Sequence, residues 1–294
     1  MTATASMDRL AEATSKAVTL VEALPYIRSY RGRTVVAKIG GAALDDERLA
    51  SLVAEDLALM ALVGIRLVIV HGGGPQVSVA MTEAGIEPRF IGGLRVTDDA
   101  SMEVVRRVLV GSINSDLVAR LCAAGLSAVG LSGGDGGLIT AARVDGPNGE
   151  DLGRVGRVEV VEAALLQSLL DAGHTPVIAS IAPDAGGTAL NVNADAVAGA
   201  VAGALEAEKL VYLTNVEGLY RDFGDAGSLV SELKRAELEE MSVSLSEGMQ
   251  PKAASAIDAL VAGTKKVHIL DGRVEHALLL EVFTDEGIGT QVLP

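Results

Sequence analysis

Short apolar runs rich in β-branched residues recur along the chain and alternate with segments of helical periodicity. Each run suits one strand buried on both faces, and each intervening segment is long enough for a crossover helix. The pattern predicts an α/β protein with an open, mostly parallel sheet and helices on both faces. The predicted strands cover residues 34–39, 67–70, 128–131, 176–181, 210–213 and 266–270.

Two stretches interrupt this alternation. Residues 141–159 are rich in Gly, Asp and Arg, which favours a hairpin that projects from the sheet edge and is suited to covering a substrate. Residues 183–187 (PDAGG) are the best candidate for a boundary between two lobes, and a simple surface turn is the alternative. We therefore expect an arm at 1–31, a first lobe at 32–183 and a second lobe at 184–294.

The segment before the first predicted strand has a different pattern. Between residues 8 and 29, apolar residues recur at spacings of three and four, as on one face of an amphipathic helix. Pro25 lies inside this pattern and is expected to kink or end the helix. The apolar face must pack either on its own domain or on another subunit.

Composition and charge narrow the class of protein. A chain of 294 residues with 49% hydrophobic residues can bury a large core, and a formal net charge of −15 disfavours nucleic acid and anionic membranes as partners. An anionic substrate must then be held by a local group of lysine, arginine and backbone N–H groups.

The compartment follows from the cysteine count and the N-terminus. The single cysteine, Cys122, lies in an apolar stretch and is expected to be a core thiol in a reducing compartment. The first 18 residues lack the apolar core of a signal peptide, and no stretch is apolar enough to span a membrane. We therefore expect a cytoplasmic location.

Glycines cluster directly after two of the predicted strands. The first cluster reads Lys38-Ile-Gly-Gly41 and the second His71-Gly-Gly-Gly-Pro75. In an open parallel sheet, ligands bind at the carboxyl ends of the strands, where helix N-termini offer free N–H groups to anions. A lysine beside such glycines supplies a fixed cation for a transferring phosphoryl group. Neither cluster matches GxxxxGK[ST] or GxGxxG, which disfavours a Walker loop and a dinucleotide fold.

Three further motifs add charged and amide groups. Arg95, in GGLRVT, offers a guanidinium fork suited to a substrate carboxylate. Asn191 and Asp195, in NVNAD, cluster at the start of a helix of small residues, where plain N-capping is the alternative. Lys252, in GMQPK, lies at another helix start, where the helix dipole repels it mildly, so its placement suggests a ligand.

Together these motifs closely resemble one family, N-acetylglutamate kinase, within the amino-acid kinase fold, an αβα sandwich. The ordered set KIGG, HGGGPQ, GLRVT, NVNAD and GMxPK carries the resemblance, which extends over nearly the whole chain. It implies transfer of the γ-phosphoryl group of MgATP to the side-chain carboxylate of N-acetyl-L-glutamate, the second step of arginine biosynthesis. The product would be an acyl phosphate.

The resemblance implies a role for each motif residue. Lys38 and Lys252 would flank the transferring phosphoryl group, and Asp195 would orient both lysines, since a carboxylate nucleophile has no proton to remove. Magnesium would be held mainly by the ATP phosphates, so no protein ligands to the metal are expected. Phosphate contacts would come from Gly40, Gly41 and Gly72, and acceptor contacts from Gly73, Gly74, Arg95 and Asn191.

The resemblance implies that the first lobe, 32–183, binds the acceptor substrate and that the second lobe, 184–294, binds the nucleotide. The nucleotide site would comprise Thr214, Asn215, Gly218 and Leu219, near the adenine and ribose. The chain departs from the usual family pattern at Asn215, where an aspartate is common, and at Gly134, where a lysine often stands. It also reads AKIGGAAL where VKYGGNAM is typical, while the principal phosphate-site residues are intact.

The resemblance further implies feedback control. Arginine-inhibited members of the family carry an N-terminal helix that interlaces dimers into a hexameric ring, and they have a C-terminal stretch similar to residues 266–289 here. By this likeness an arginine site would comprise Tyr26, His268, Glu281 and Gly287, with the guanidinium paired to Glu281 and nearby carbonyls. We therefore expect L-arginine as an inhibitor and a homo-oligomer, a hexamer built as a trimer of dimers.

Three other interpretations stay open. A related acyl-phosphate kinase would keep both lysines and act on N-acetyl-aminoadipate, glutamate or aspartate. A catalytically weak arginine sensor would bind arginine without turnover, but retention of Lys38, Asp195 and Lys252 argues against it. A nicotinamide dehydrogenase is disfavoured by the absence of a GxGxxG motif.

Overall fold

Strands that are apolar on both faces, and helices that pack against them, make up most of the computed structural model. The structure describes residues 3–222, 224–246, 248–284 and 287–294. The strands are β1 (Thr34–Ile39), β2 (Arg66–His71), β3 (Phe90–Ile91), β4 (Leu94–Arg95), β5 (Ala128–Ser132), β6 (Ile139–Arg143), β7 (Val155–Val161), β8 (Thr175–Ala179), β9 (Ile181–Pro183), β10 (Ala189–Val192), β11 (Lys209–Thr214), β12 (Leu219–Tyr220), β13 (Leu229–Val230), β14 (Glu232–Lys234), β15 (Val267–Asp271) and β16 (Thr290–Leu293). The helices are α1 (Ala3–Tyr30), α2 (Gly41–Asp45), α3 (Glu47–Leu62), α4 (Gly74–Glu83), α5 (Asp99–Arg106), α6 (Ser115–Ala123), α7 (Ala163–Asp171), α8 (Ala194–Ala204), α9 (Arg235–Ser242), α10 (Gln250–Val261) and α11 (Ala277–Phe283). A π-helical segment, Arg107–Asn114, joins α5 to α6.

The central sheet confirms the predicted architecture. Eight strands lie in the order β14, β16, β15, β11, β1, β2, β8, β5. Every neighbouring pair is parallel except β15 with β16. The predicted strands at 34–39, 67–70, 128–131, 210–213 and 266–270 all lie in this sheet, with ends that differ by two residues or fewer.

Apolar side chains cover both faces of the sheet. Val36 of β1 belongs to a cluster that includes Val197 of α8, whereas its neighbour Val35 belongs to a cluster that includes Leu57 of α3. Adjacent residues of a strand point to opposite faces, so β1 contributes to two cores. Helices therefore pack on both faces, as the sequence predicts.

The segment predicted as one strand at 176–181 contains two. β8 ends at Ala179 in the central sheet, and β9 begins at Ile181 in a second sheet of order β6, β7, β10, β9. The run is apolar throughout, so hydrophobic periodicity does not mark the change of sheet.

The predicted hairpin at 141–159 is present as the antiparallel pair β6 and β7. It belongs to the second sheet rather than to the edge of the central one. The PDAGG stretch forms the turn between β9 and β10, where the N–H of Gly187 donates to the carbonyl of Asp184. The three-part division at residues 31 and 183 stays a prediction.

Two expectations about single residues change. Of the two effects predicted for Pro25, an end to the helix is wrong, since α1 continues to Tyr30, whereas a kink stays a prediction. Val21, whose carbonyl loses its helical partner at Pro25, is 63% exposed, so that water can replace the bond. Cys122 is exposed rather than buried, because α6 turns Leu117 and Leu121 toward the core and Cys122 lies about 100° around the helix from Leu121. Residues 1 and 2 of the predicted arm lie outside the described residues.

The apolar face of α1 is uncovered in the single chain: Leu20 is 70% exposed and Leu24 is 41% exposed. Among the described helices, none is both long enough and apolar enough to cross a membrane.

Candidate active site

Loops that follow β1 and β2, together with the start of α8, enclose a cavity of about 240 Å³ at the carboxyl edge of the central sheet. Ligands of open parallel sheets bind at this edge. Gly40 and Lys252 do not line the cavity but lie directly behind Lys38 and Asp195. The predicted residues that line it are Lys38, Gly41, Gly72, Gly73, Gly74, Arg95, Asn191 and Asp195.

Asp195 lies between the two lysines. The side chain of Asn193 caps α8 by accepting from the N–H of Asp195 at 2.8 Å, which places Asp195 in the first turn of the helix. Lys252 Nζ donates to Asp195 Oδ2 at 2.9 Å. Lys38 Nζ forms an ion pair with Asp195 Oδ1 at 2.9 Å, but the geometry of this contact does not meet that of a hydrogen bond. Both carboxylate oxygens are thus occupied by ammonium groups.

The electrostatics of this group keep Asp195 ionised. Burial alone would raise the pKa of Asp195, but the neighbouring Lys38 and Lys252 ammonium groups lower it to about 2. Burial lowers the pKa of Lys252, and Asp195 opposes that effect. A carboxylate of such low pKa is a poor proton acceptor near neutral pH. It can orient two lysines and leave one net positive charge facing the cavity.

Sequence reasoning missed two residues that support these charges. The ammonium of Lys252 lies over the ring of Tyr212, 5.0 Å from its centroid. The hydroxyl groups of Tyr212 and Ser255 are hydrogen-bonded at 2.6 Å, and Ser255 Oγ also donates to the main-chain carbonyl of Asp195. Tyr212 lies in an apolar strand and Ser255 in a helix of small residues, so neither carries a sequence signal. The pairing of Lys38 with Tyr212 across β1 and β11 brings Tyr212 to the site.

Each carbonyl group of the glycine loop at residues 72–74 accepts a hydrogen bond from within the protein. The Gly72 carbonyl accepts from His71 Nδ1 at 3.0 Å, the Gly73 carbonyl from the N–H of Val77 at 2.9 Å, and the Gly74 carbonyl from Arg95 Nη2 at 2.8 Å. The N–H groups of Gly73 and Gly74, at the start of α4, have no acceptor among the described residues. The loop therefore offers hydrogen-bond donors at the cavity.

Two of these glycines differ in the space around them. A Cβ on Gly73 would overlap Ile113 and crowd Leu109, so packing excludes a side chain there. A Cβ on Gly74 would meet nothing within 4 Å, so this position leaves open space beside a free N–H group.

The three predicted phosphate-binding glycines differ in their N–H groups. The N–H of Gly40 donates to the Leu213 carbonyl at 3.1 Å, and that of Gly72 reaches the Ile39 carbonyl at 3.4 Å. Gly41 begins α2, and its N–H has no acceptor in the described part of the chain.

Arg95 is a buried cation with neutral partners. Its guanidinium donates to the Gly74 carbonyl and to Ser78 Oγ, each at 2.8 Å, and stacks 4.6 Å from the ring centroid of Phe90. Burial lowers the pKa of Arg95. No carboxylate among the described residues pairs with it, so its charge is available to an anion in the cavity.

Asn191 connects the cavity to the hairpin of β6 and β7. Its Nδ2 lies 3.2 Å from Thr97 Oγ1, and its N–H donates to the carbonyl of Arg154 at 2.8 Å. Thr97 in turn donates its N–H to Leu152 at 2.9 Å and bridges to Gly153. The segment before β7 is therefore held against Thr97 and Asn191, of which Asn191 lines the cavity.

A second cavity of about 450 Å³ adjoins the end of β11. Of the four residues predicted to contact the nucleotide, Gly218 and Leu219 line it, whereas Thr214 and Asn215 do not. The N–H of Leu219 donates to Thr290 Oγ1 at 2.8 Å, and a Cβ on Gly218 would lie 2.5 Å from the same oxygen.

A third cavity, also about 450 Å³, brings together the four residues predicted to bind arginine, Tyr26, His268, Glu281 and Gly287. Sequence reasoning missed Lys209, which is 2% exposed and lies 3.1 Å from Glu281 Oε1. Burial would raise the pKa of Glu281, but His268 and Lys209 lower it. His268 Nε2 is buried and has no hydrogen-bond partner among the described residues. Asp285 and Glu286, in the predicted C-terminal stretch, lie outside the described residues.

Within the described ranges, no group of three or more His, Cys, Asp or Glu side chains is arranged to hold a metal ion. Among the described residues, the one carboxylate that lines the first cavity is that of Asp195, and each of its oxygens contacts a lysine ammonium.

Paired lysines around a carboxylate, beside open glycine N–H groups at strand ends, define a phosphotransferase site of the amino acid kinase class, and residues 33–271 match the model of the amino acid kinase family. An acetylglutamate kinase of Symbiobacterium thermophilum is 51% identical over 289 residues, which cover 96% of this chain and 99% of that protein. An acetylglutamate kinase of Acaryochloris marina is 48% identical, with 95% and 98% covered. The chain therefore belongs to the acetylglutamate kinases of the amino acid kinase family.

Solved structures share the fold. An N-acetylglutamate synthase from Neisseria gonorrhoeae, complexed with coenzyme A and N-acetyl-glutamate, matches with a TM-score of 0.84 and 33% identity. The match covers 95% of this chain but 63% of the synthase, so the chain spans less than two thirds of that protein. A carbamate kinase from Giardia lamblia bound to AMP-PNP matches with a TM-score of 0.66 at 16% identity, covering 89% of this chain and 98% of that one, and shows the fold alone.

Proposed function

We propose that this chain transfers the γ-phosphoryl group of ATP to the side-chain carboxylate of N-acetyl-L-glutamate. The products are N-acetyl-L-glutamyl 5-phosphate and ADP, and the reaction is the second step of arginine biosynthesis. The observation that carries the proposal is the buried Lys38–Asp195–Lys252 group beside the free N–H groups of Gly73 and Gly74. Two relatives that are 51% and 48% identical to this chain are named acetylglutamate kinase, and this name supports the same reaction.

The chemistry needs charge compensation more than proton transfer. The attacking group is already a carboxylate, so no base has to act on it, and the transferring phosphoryl group carries charge on its oxygens. Lys38 and Lys252, fixed by Asp195, neutralise that charge without reorganising during the reaction. Gly41, Gly73 and Gly74 add N–H donors at helix starts, where the helix dipole also favours an anion.

The acceptor is held by groups on the opposite side of the cavity. Arg95, which has no anionic partner in the described structure, binds the α-carboxylate, and Asn191 binds the other polar groups of the substrate. Both side chains are already held in place, Arg95 by Gly74 and Ser78 and Asn191 by Thr97. The two carboxylates of the acceptor are thereby distinguished.

The nucleotide lies over the second cavity, against Gly218 and Leu219, with its phosphates directed to the lysines. Magnesium bound to the phosphates supplies further charge neutralisation. Among the described residues that line the first cavity, the carboxylate is Asp195, which the two lysines already occupy, so the nucleotide phosphates would supply oxygen ligands to the metal. We also propose that the protein is located in the cytoplasm.

A hydroxylamine-trapping assay with MgATP tests this function. We expect hydroxamate mainly from N-acetyl-L-glutamate, with far less from glutamate, aspartate or N-acetyl-aminoadipate. Loss of one fixed cation in Lys252→Ala lowers the rate by roughly 100-fold or more, whereas Lys265→Ala, at an exposed lysine, leaves it unchanged. Preference for another acceptor would reassign the substrate, and no hydroxamate from any acceptor would point to an arginine-binding regulatory protein.

We also propose feedback inhibition by L-arginine at the third cavity. The support is the meeting of Tyr26, His268, Glu281 and Gly287 around one space, together with the unpartnered His268 Nε2. Glu281 supplies the carboxylate for a guanidinium. Because Tyr26 lies on α1, whose apolar face is uncovered, the same helix would link arginine binding to assembly of a hexameric trimer of dimers.

A further inference from the structure

His71 and Asn114 form a buried polar pair behind the glycine loop, and the proposed reaction gives neither of them a task. His71 is fully buried at the end of β2, and Asn114, the last residue of the π-helical segment, is 5% exposed. Asn114 Nδ2 lies 3.0 Å from His71 Nε2 and 2.9 Å from the Val177 carbonyl. Burying such groups is costly unless they are hydrogen-bonded.

The contacts assign the proton on His71. The Val177 carbonyl can only accept, so Asn114 must direct its NH₂ group there, and its second N–H then points at His71 Nε2. Nε2 is therefore the unprotonated nitrogen. The proton lies on Nδ1, from which it is donated to the Gly72 carbonyl at 3.0 Å. Burial also lowers the pKa of His71, in keeping with a neutral ring.

The π-helical segment holds the loop by a second contact. Leu109 and Ile113 occupy the space that a side chain on Gly73 would need. The extra residue per turn of a π-helix moves side chains out of the usual helical register, and such segments are frequent at functional sites. One segment thus supplies both the apolar contact to Gly73 and the amide that orients His71.

Asn114 itself has little freedom. A Cβ on Gly130 of β5 would overlap Asn114 Oδ1 and lie 3.2 Å from Val118. The absence of a side chain at Gly130 is what lets the amide fit between β5 and β2.

We propose that Asn114 and His71 are positioning residues, which fix the Gly72 carbonyl away from the cavity so that the N–H groups of Gly73 and Gly74 face the reacting phosphoryl and carboxylate oxygens. The proposal rests on the proposed phosphoryl transfer. Neither side chain touches substrate, and both act through the loop. The loop does not have to reorient completely for the rate to fall, because a shift of about 1 Å in such donors is enough to lower it by up to about 100-fold.

Asn114→Leu is the first test, because leucine has a similar shape but cannot donate to His71 or Val177. We expect kcat to fall by roughly 10- to 100-fold, while KM for ATP and for N-acetyl-L-glutamate changes by less than about threefold. His276→Ala is the control for lost stability, since it removes a histidine hydrogen bond to a buried group, Asp56, away from the cavity. The control should unfold more easily but keep its kcat.

Gly130→Ala gives an independent test from outside the cavity. The added methyl group displaces the Asn114 amide without removing a donor, so kcat should fall in the same way, again with little change in KM. Gly111→Ala is its matched control, because a Cβ there meets nothing within 4 Å although Gly111 lies in the same π-helical segment. Full kcat in both Asn114→Leu and Gly130→Ala would overturn the proposal.

Nitrogen NMR of the imidazole rings decides the structural part without any activity. We expect His71 in the wild-type chain to be neutral with its proton on Nδ1, and to lose this fixed state in Asn114→Leu. A proton on Nε2 would overturn the assignment. If the wild-type chain forms no acyl phosphate, the proposed function fails. The position of the proton on His71, which NMR measures without activity, still decides whether His71 and Asn114 hold the loop as proposed.

Discussion

Among single residues, Asp195 has the clearest link between environment and chemistry. Its pKa is lowered to about 2 by Lys38 and Lys252 against the effect of burial. A lowered carboxyl pKa contributes stability above the unfolded-state value of about 4, and this contribution is lost as the pH falls through the folded-state value. The lysine pair therefore ties the fold to the charge of one side chain.

Asp195→Asn removes that charge at constant shape. We expect it to abolish most activity, because the lysines lose the group that orients them, and to lower the free energy of unfolding at neutral pH. The difference from wild type should shrink as the pH falls, by about 1 kcal/mol between about pH 5 and about pH 3, since protonated aspartic acid resembles asparagine. Urea unfolding of both proteins across this range measures it. A difference that is constant with pH would contradict the low pKa.

Among the elements, the hairpin of β6 and β7 is the one placed to shape the acceptor side. Gly153, just before β7, has a φ of +73° and bridges to Thr97, whose carbonyl occupies the space of a Cβ on Gly153. The methyl group added in Gly153→Ala must push the hairpin away from Thr97. Because Thr97 is hydrogen-bonded to Asn191, the position of Asn191 should change as well. We expect KM for N-acetyl-L-glutamate to rise by roughly 10-fold, with little change in KM for ATP.

Gly149→Ala separates sterics from backbone strain in this experiment. Gly149 lies in the same hairpin with a φ of +84°, but a Cβ there meets nothing within 4 Å. Both variants carry the cost of a left-handed conformation, so a rise in acceptor KM confined to Gly153→Ala identifies the contact with Thr97. Equal effects of the two variants would assign the loss to strain alone.

The elements also show what the sequence could and could not predict. Local patterns were enough for six of the eight strands of the central sheet, for the hairpin and for the glycine loops, because apolar runs and turn residues are local signals. The short strands β14 and β16 were not predicted. The break at Ser180 between two sheets was missed, since both sides are equally apolar. Asn114, Tyr212 and Ser255 were missed for another reason: their partners lie on distant strands and helices, and no local spacing encodes such pairings.

For the whole molecule, α1 raises the question of what covers its apolar side chains. Leu20 is 70% exposed and Val21 63% exposed, while Tyr26 on the same helix lines the cavity proposed for arginine. With a net charge of −15, two chains repel each other at long range. Association must then depend on apolar burial of this kind, at roughly 25 cal/mol per Å².

The double variant Leu20→Asp, Val21→Asp tests this arrangement, because burying two carboxylates at an interface is costly. We expect wild type to sediment as a six-chain species and the variant as a smaller one, with kcat retained when arginine is absent, since α1 contributes no residue to the first cavity. Arginine titration of both proteins then shows whether assembly is needed for inhibition: the variant should require several-fold more arginine, although Tyr26 is intact. Glu22→Lys, a charge change at an exposed polar position of α1, is the control and should keep the wild-type mass. An unchanged mass in the double variant would show that this face is not the interface, and a monomeric wild type would remove the ring altogether.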